Sequence, residues 1–175
     1  MRKNDYLLFI FPFIGWSCKT NIFDKYNSVA SGYYDSGVNK YSKQDYRGAI
    51  IDFNRAIEIT PNNDDAYAFR GIAKSALNND SGAIADLSIA IGINSHNEFA
   101  FFYRGILKSK ADDYQEAKKD YSRAINADHS YSEAYYNRGV VYLHLGYKDS
   151  ACLDFKKAYA LGFGAARSEI NKNCK

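Results

Sequence analysis

The sequence predicts an all-α protein, a solenoid of four helix-turn-helix repeats, and three sets of residues at one constant spacing predict it. All three sets recur every 34 residues. They are a glycine column (Gly37, Gly71, Gly105, Gly139), two alanine columns (Ala49, Ala83, Ala117, Ala151 and Ala56, Ala90, Ala124, Ala158) and a large apolar column (Phe53, Leu87, Tyr121, Phe155). A fixed period of this length, kept without insertion or deletion, is typical of one helical hairpin that is copied and stacked.

Each repeat is predicted to contain a helix, a short polar turn and a second helix. The repeats span residues 30–63, 64–97, 98–131 and 132–165. Polar residues with Gly or Pro separate the helices, and no strand-like alternation interrupts them. Residues 19–29 are interpreted as a linker before the first repeat, and residues 166–175 as a short C-terminal capping helix and tail.

The glycine column needs a structural reason, because glycine inside a helix costs about 0.8–1 kcal/mol relative to alanine. A close antiparallel crossing supplies one, since the alanine columns of the second helix can press in where no side chain stands between the backbones. The column that faces the preceding hairpin reads Ala73, Leu107 and Val141 in later repeats but Asn39 in the first. This polar residue predicts that the first repeat caps the stack.

Residues 1–18 differ in character from the repeats. Arg2 and Lys3 precede an apolar run over residues 6–14, and small residues follow it. This order is typical of an export signal, and the run is shorter than the about 20 residues that span a bilayer. The segment resembles a bacterial lipoprotein signal, which implies lipidation of Cys18 and a membrane-tethered protein of the cell envelope. An ordinary cleaved signal with a secreted or periplasmic product, or an uncleaved interfacial anchor, stays open.

The remaining cysteines, Cys152 and Cys174, can pair in an oxidising compartment, but the sequence favours a buried free thiol at Cys152. The three cysteines of the chain show neither metal-ligand spacing nor a Cys-x-x-Cys pair. The histidines also lack ligand spacing. We therefore expect no metal and no cofactor.

Tyr67, Gly71, Ala83, Leu87 and Ala90 together resemble the tetratricopeptide repeat pattern, and the resemblance covers residues 30–165. It implies a right-handed superhelix whose first helices line a concave groove that accepts an extended or helical peptide. The chaperone-tail subclass of that family places Lys, Asn and Arg in the groove as a carboxylate clamp. Tyr34, Val38 and Phe69 stand at several of those positions, which argues against that ligand.

The charged residues indicate neither catalysis nor nucleic-acid binding. The net charge is only +3 and the basic residues are scattered, which is too little for an electrostatic footprint on nucleic acid. Two charged columns also repeat every 34 residues. The first helices have an arginine before the glycine, and the second helices have an aspartate; these residues are Arg70, Arg104 and Arg138, and Asp52, Asp86, Asp120 and Asp154. Because these charges recur once in every repeat and do not converge on one place, they favour ion pairs within each hairpin over a single binding site for an anion. No Ser-His-Asp or Cys-His arrangement emerges, so the chain is predicted not to be an enzyme.

An excess of aromatic and apolar residues on the first helices is the candidate functional feature. We expect a non-catalytic scaffold or adaptor that binds a protein or peptide partner there. The predicted groove residues are Tyr34, Val38, Tyr41, Phe69, Ile72, Phe99, Phe102, Tyr103, Ile106, Tyr136 and Val140. The alternatives are a surface protein that binds a glycan or a small molecule, a self-associating structural protein or homo-oligomer, or coverage of the stripe by residues 21–29.

Overall fold

The computed structural model describes residues 16–174, and it describes side chains from residue 24 onward. That range forms nine α-helices and no strand. The helices are α1 (Trp16–Ser42), α2 (Tyr46–Ile59), α3 (Asp64–Ala76), α4 (Asp80–Ile93), α5 (Glu98–Lys110), α6 (Tyr114–Ala127), α7 (Ser132–His144), α8 (Lys148–Ala160) and α9 (Ala166–Asn173). The expected all-α stack of four hairpins with a short C-terminal helix is confirmed. The apolar run at residues 6–14 lies outside the described residues, and so does the side chain of Cys18.

The first helix begins earlier than the repeat spacing predicts. α1 has 27 residues, whereas α3, α5 and α7 have 13 each. Residues 19–29, interpreted as a linker, are helical instead, because they contain neither Gly nor Pro to end a helix. All the side chains of residues 24–29 are exposed, so that part of the segment extends α1 and does not cover the aromatic stripe. None of the described helices combines the length and the apolarity that crossing a bilayer requires.

The turn inside each hairpin is built from a left-handed residue followed by an N-cap. The left-handed residues recur in step, at Gln44, Asn78, Asp112 and Gly146, with φ between 60° and 81°. In the first three hairpins, the side chain of the next residue accepts a hydrogen bond from a backbone amide of the following helix; these caps are Asp45, Asn79 and Asp113. Capping of this kind stabilises a helix by about 1 kcal/mol.

The glycine column lies where the two helices of a hairpin cross, as expected, but the contact partner differs from the prediction. A Cβ placed on Gly37, Gly105 or Gly139 would stand 2.7–2.8 Å from the aromatic ring sixteen residues later, closer than real Cβ atoms approach a neighbour. The close partner is therefore the large apolar column, not the alanines. In the second hairpin that column holds Leu87, and the same Cβ on Gly71 also meets the Ala83 carbonyl oxygen at 3.1 Å.

The hairpins stack with their odd-numbered helices on one side and their even-numbered helices on the other. Each even helix packs against the odd helix that follows it, and α1, α3, α5 and α7 also touch one another in succession. Successive even helices do not touch one another to the same extent. The stack therefore curves toward the odd helices, whose free face is called the inner wall below.

The two ends of the stack are closed differently. Asn39 is exposed, whereas Ala73, Leu107 and Val141 at the same position are buried, so the predicted polar cap is confirmed. At the other end, Ala166 and Ile170 of α9 pack on Phe155. Tyr159 of α8 stays 45% exposed.

The expectation of a free thiol at Cys152 is wrong. Cys152 in α8 forms a disulfide with Cys174, the residue after α9, with 5.5 Å between the Cα atoms. α9 turns back along α8 and brings the tail next to Cys152, which the linear sequence does not reveal. The bond ties α9 to the last hairpin.

Candidate partner-binding surface

A chain of aromatic rings follows the inner wall from α1 to α5. Its members are in successive contact, with ring centroids 4.7–6.1 Å apart, within the range of favourable aromatic pairs. In order they are Tyr34, Phe69, Phe99, Tyr131, Phe102 and Tyr103; we call this set the aromatic path. It joins three hairpins, because Tyr34 belongs to the first, Phe69 to the second and the others to the third and the turn that ends it.

The residues of the path differ in how much surface they leave open. Phe99 is 39% exposed, and Tyr34, Phe69, Tyr103 and Tyr131 are half-buried. These five side chains present ring surface to solvent. Phe102 is only 7% exposed because it lies between Tyr121 of its own hairpin and Tyr131 of the next turn. It supports the path from beneath.

Val38 and Ile106 of the predicted groove pack on the same clusters as rings of the path, whereas Val140 packs with Tyr136 in the fourth hairpin. Val38, Ile106 and Val140 are half-buried, and Ile72 is buried at 4% exposure in the core of the second hairpin. Ile72, like Phe102, therefore has little surface left for a partner. The cluster that holds Ile72 includes Ala100 and Leu107 of the next hairpin, and the sequence pattern alone does not distinguish such a residue from one on an open face.

Two predicted groove residues are not members of the path. Tyr41 packs on the same clusters as Tyr34, Phe69 and Tyr103, and its ring is tilted against that of Tyr46 with 5.3 Å between the centroids. Tyr136 contacts Phe155 at 5.6 Å and Phe163 at 4.9 Å. Phe163 belongs to the turn before α9, so the C-terminal cap partly covers the wall at the fourth hairpin.

Tyr131 is a member of the path that the sequence stripe missed, because it lies in a turn and not on a first helix. The same position in the two preceding repeats is Asn63 and Asn97, whose side chains cap α3 and α5. Tyr131 precedes α7 and makes no such hydrogen bond. The break in this column, an aromatic ring in place of a capping amide, is the signal that could have identified it.

Carboxylates accompany the path along its length. The pKa of the Tyr34 hydroxyl is raised to about 12, first by burial and then by the negative charges of Asp65, Asp35 and Asp64. Burial and the nearby Glu133 raise the pKa of Tyr103. Burial, and then the charge of Asp64, raise the pKa of Asp65. The path is therefore set in a locally negative environment.

The repeated arginines and aspartates form interior pairs, which confirms ion pairing within hairpins. Arg104 donates from Nε and Nη2 to both carboxylate oxygens of Asp120, at 2.9 and 2.8 Å, and Nη1 donates to Ser88 of the preceding hairpin at 3.1 Å. Arg70 and Arg138 repeat this pattern with Asp86 and Asn54, and with Asp154 and Ser122. The aspartates are buried and occupied by these bonds, so they offer no free charge to a ligand.

The first hairpin replaces the arginine with a serine, as the sequence suggests. Ser36 donates to Asp52 at 2.6 Å, and the Lys40 ammonium lies 2.6 Å from the same carboxylate. Lysines at the same position in the next two hairpins, Lys74 and Lys108, also reach their aspartates. In the fourth hairpin this position is Tyr142.

Comparison with known proteins gives concordant matches. A model described as TPR repeat matches residues 110–146, and a model described as tetratricopeptide repeat matches residues 30–63 and 132–161. No curated protein matches the sequence significantly.

Solved structures share the fold at low identity. A MamA protein crystal structure is 25% identical, with 80% of this chain and 81% of that chain covered at a TM-score of 0.66. PilF of Pseudomonas aeruginosa is 19% identical, with 85% and 72% covered at 0.74. The first TPR of Spaghetti (RPAP3), bound to the HSP90 peptide SRMEEVD, is 22% identical, with 69% and 95% covered at 0.65. These likenesses concern the arrangement of the helices.

Proposed function

Because this chain is built from tetratricopeptide repeats, we propose that it is a protein-interaction module without catalytic activity, which binds a peptide or helix of a partner on its inner wall. The observation that carries the proposal is the aromatic path. Its rings run across three hairpins, and Phe99 at its centre is 39% exposed. A surface of contiguous, partly exposed rings is uncommon on a protein that binds nothing.

The contact would be driven by burial of apolar side chains of the partner, at roughly 25 cal/mol for each Å² removed from water. Aromatic side chains carry much of the energy in such interfaces. Phe69, Phe99, Tyr103 and Tyr131 offer the open ring surface, while Ile72 and Phe102 hold the rings in place from within. RPAP3, which shares the fold, was solved with a bound peptide, and this supports a peptide as the kind of partner.

A displayed library of random peptides, selected against the protein, tests the proposal. Selected peptides should bind the Phe99→Ala variant at least about tenfold more weakly. Phe99 is partly exposed, so helicity measured by circular dichroism should stay unchanged. Ile51→Ala is the matched control, because Ile51 is 60% exposed on α2, in the layer of even helices.

Peptides that bind the Phe99→Ala and Ile51→Ala variants equally well would contradict a role for the inner wall. A second substitution, Tyr131→Ala, covers the case in which a peptide binds the next ring of the path and does not contact Phe99. If neither aromatic substitution weakens any selected peptide, the path is not the binding surface.

We further propose that the protein is exported and tethered to a membrane through lipid on Cys18. The basic and apolar order of residues 1–18 supports this, and so does the disulfide between Cys152 and Cys174, because disulfides persist in oxidising compartments. Wild-type protein should incorporate a labelled fatty acid and fractionate with membranes. Cys18→Ser should abolish both properties, with Cys152→Ser as the cysteine control that keeps them. Absence of label in the wild type would exclude the anchor.

A further inference from the structure

We infer that the partner segment is basic, with Lys or Arg side chains between its apolar ones. This inference rests on the proposed function and adds the charge of the partner to it. Four carboxylates border the aromatic path: Asp35, Asp65, Glu98 and Glu133. Binding would place cationic groups of the partner beside these carboxylates and over the rings, where aromatic faces also attract cations.

Helix geometry places one carboxylate beside a ring, and electrostatics places two more there. Asp65 and Phe69 are four residues apart on α3, and therefore on one face of that helix. After burial, the charges of Glu133 and Glu98 raise the pKa of the Tyr131 hydroxyl. The Asn97 amide donates to Asp65 at 3.2 Å, which links the starts of α3 and α5 and brings their acids together. The acids thus form a border common to both hairpins.

The carboxylates of the border have no ion-pair partner of their own. Among residues 24–174, the four carboxylates make no ion pair; some acids elsewhere, such as Asp128 and Asp149, make none either, while others do. In the first turns of α4 and α6, Asp80 pairs with Lys110, and Glu116 with Lys119. The chain as a whole has a net charge of +3, so an unpaired negative border does not follow from composition.

Favourable placement at helix starts explains only part of the border. Asp65, Glu98 and Glu133 lie in the first turns of α3, α5 and α7, where an acid interacts well with the helix dipole. Asp35 lies in the second half of α1, where the dipole gives no such benefit. Its charge is among those that raise the pKa of Tyr34, so it continues the border along the path. A basic partner neutralises the whole set.

The test uses two synthetic peptides with the same Leu, Phe and Trp residues, interleaved with Lys in one and with Glu in the other. The Lys peptide should bind the full chain about tenfold more tightly at low salt, and the difference should shrink at high salt because exposed charges are screened. The Glu98→Gln/Glu133→Gln variant should lose most of the difference. Glu58→Gln/Asp149→Asn, which removes the same charge on α2 and α8, should retain it.

Each other outcome overturns the inference. Equal or tighter binding of the Glu peptide contradicts a basic partner, and binding of neither peptide does so as well. A preference for Lys that survives in both charge variants assigns the attraction to some other part of the chain. The Phe99→Ala variant separates these results from failure of the proposed function: if it weakens both peptides, the inner wall binds peptides and only the charge assignment is wrong.

Discussion

The first and fourth hairpins arise from the same 34-residue unit, yet they end the stack by different means. At the N-terminal end no hairpin among residues 16–174 packs on the outer side of α1, and polar or exposed residues stand there in place of buried ones. Tyr33 there is 38% exposed, whereas Phe101, two repeats later at the same position, is 2% exposed under the preceding hairpin. At the C-terminal end the surface is covered by α9 and fixed by the disulfide.

The buried charges differ between the two ends in the same way. Asp52 in the first hairpin has two partners, Ser36 and Lys40. Asp154 in the fourth is held by Arg138, and Tyr142 occupies the position of the lysine. The open end therefore has a redundant set of bonds around its carboxylate, while the closed end depends on one arginine. The fourth hairpin lacks the lysine bond to its aspartate, and it is the hairpin that α9 and the disulfide hold in place.

Removal of the arginine should expose this dependence most strongly. Arg138→Met leaves the buried Asp154 without a cation, and we expect a loss of about 3–5 kcal/mol in the free energy of unfolding, measured with urea. Lys40→Met at the open end should cost only about 1 kcal/mol, because Lys40 is 39% exposed and Ser36 still donates to Asp52. Equal losses would show that the two carboxylates do not differ in this respect.

Reduction of the disulfide should affect the closed end next. The bond closes a loop with a sequence separation of 22, for which chain entropy predicts a contribution of about 3 kcal/mol. Hydrogen exchange should show faster opening of α9 in reductant, with α1 and α2 unchanged. Cys152→Ser serves as the control, since reductant should have no further effect on it. Unaltered exchange in α9 would mean that packing alone secures the cap.

Restoring a cap in the fourth hairpin should stabilise it modestly. Tyr147 precedes α8 without a capping hydrogen bond, while Asp45, Asn79 and Asp113 cap the other second helices. Tyr147 is 50% exposed, and Tyr147→Asn gives up only the contacts of its ring with Tyr142 and with the Lys118 ammonium. We expect the free energy of unfolding, measured by thermal denaturation, to rise by about 1 kcal/mol. A loss of stability would show that the tyrosine ring contributes more than a cap.

The polar residue of the open end should be nearly neutral to substitution. Asn39→Leu introduces the residue that the third hairpin has at the same position, Leu107. No hairpin among residues 16–174 covers position 39, so the change in the free energy of unfolding should stay within about 0.5 kcal/mol. The reverse change at the covered position, Leu107→Asn, should cost about 3 kcal/mol or more. A clear gain from Asn39→Leu would mean that another surface covers α1.

Acid should weaken the open end through Asp52. Burial acts to raise the pKa of this carboxyl, but hydrogen bonds from Lys40 and Ser36 outweigh it and hold the pKa below its ordinary value of 3.8. The contribution of Asp52 to stability is therefore full above that value and is lost as the pH falls through the lowered folded pKa. Lys40→Gln should flatten the stability profile below about pH 4, whereas Lys43→Gln in the adjacent turn should leave it unchanged.

The regular part of the fold could be predicted because each column reports one repeated contact. Gly37, Gly105 and Gly139 imply a close crossing, and the rings in the large apolar column fill it. The start of α1 could not be placed, since the repeat period carries no information outside the repeats. Pairing of Cys152 with Cys174 depends on the direction in which α9 turns, and the local sequence does not determine that direction.

The candidate surface was predictable in location but not in composition. A helical stripe identifies which face of a first helix is apolar, and Tyr34, Phe99 and Tyr103, which were predicted from it, belong to one path of rings. It does not reveal which members the next hairpin covers, so Ile72 was grouped with open residues. Tyr131 escaped because its place in the repeat is a turn, where aromatic residues follow no helical period.

The arginine that joins each hairpin to its predecessor has a mechanical consequence. Arg70, Arg104 and Arg138 each hold an aspartate of their own hairpin and a polar side chain of the hairpin before it. When tension pulls the two ends of the molecule apart, a hairpin cannot detach without breaking a bond that also positions its neighbour. The attachment of each hairpin to its predecessor is therefore coupled to the ion pair that holds its own two helices together.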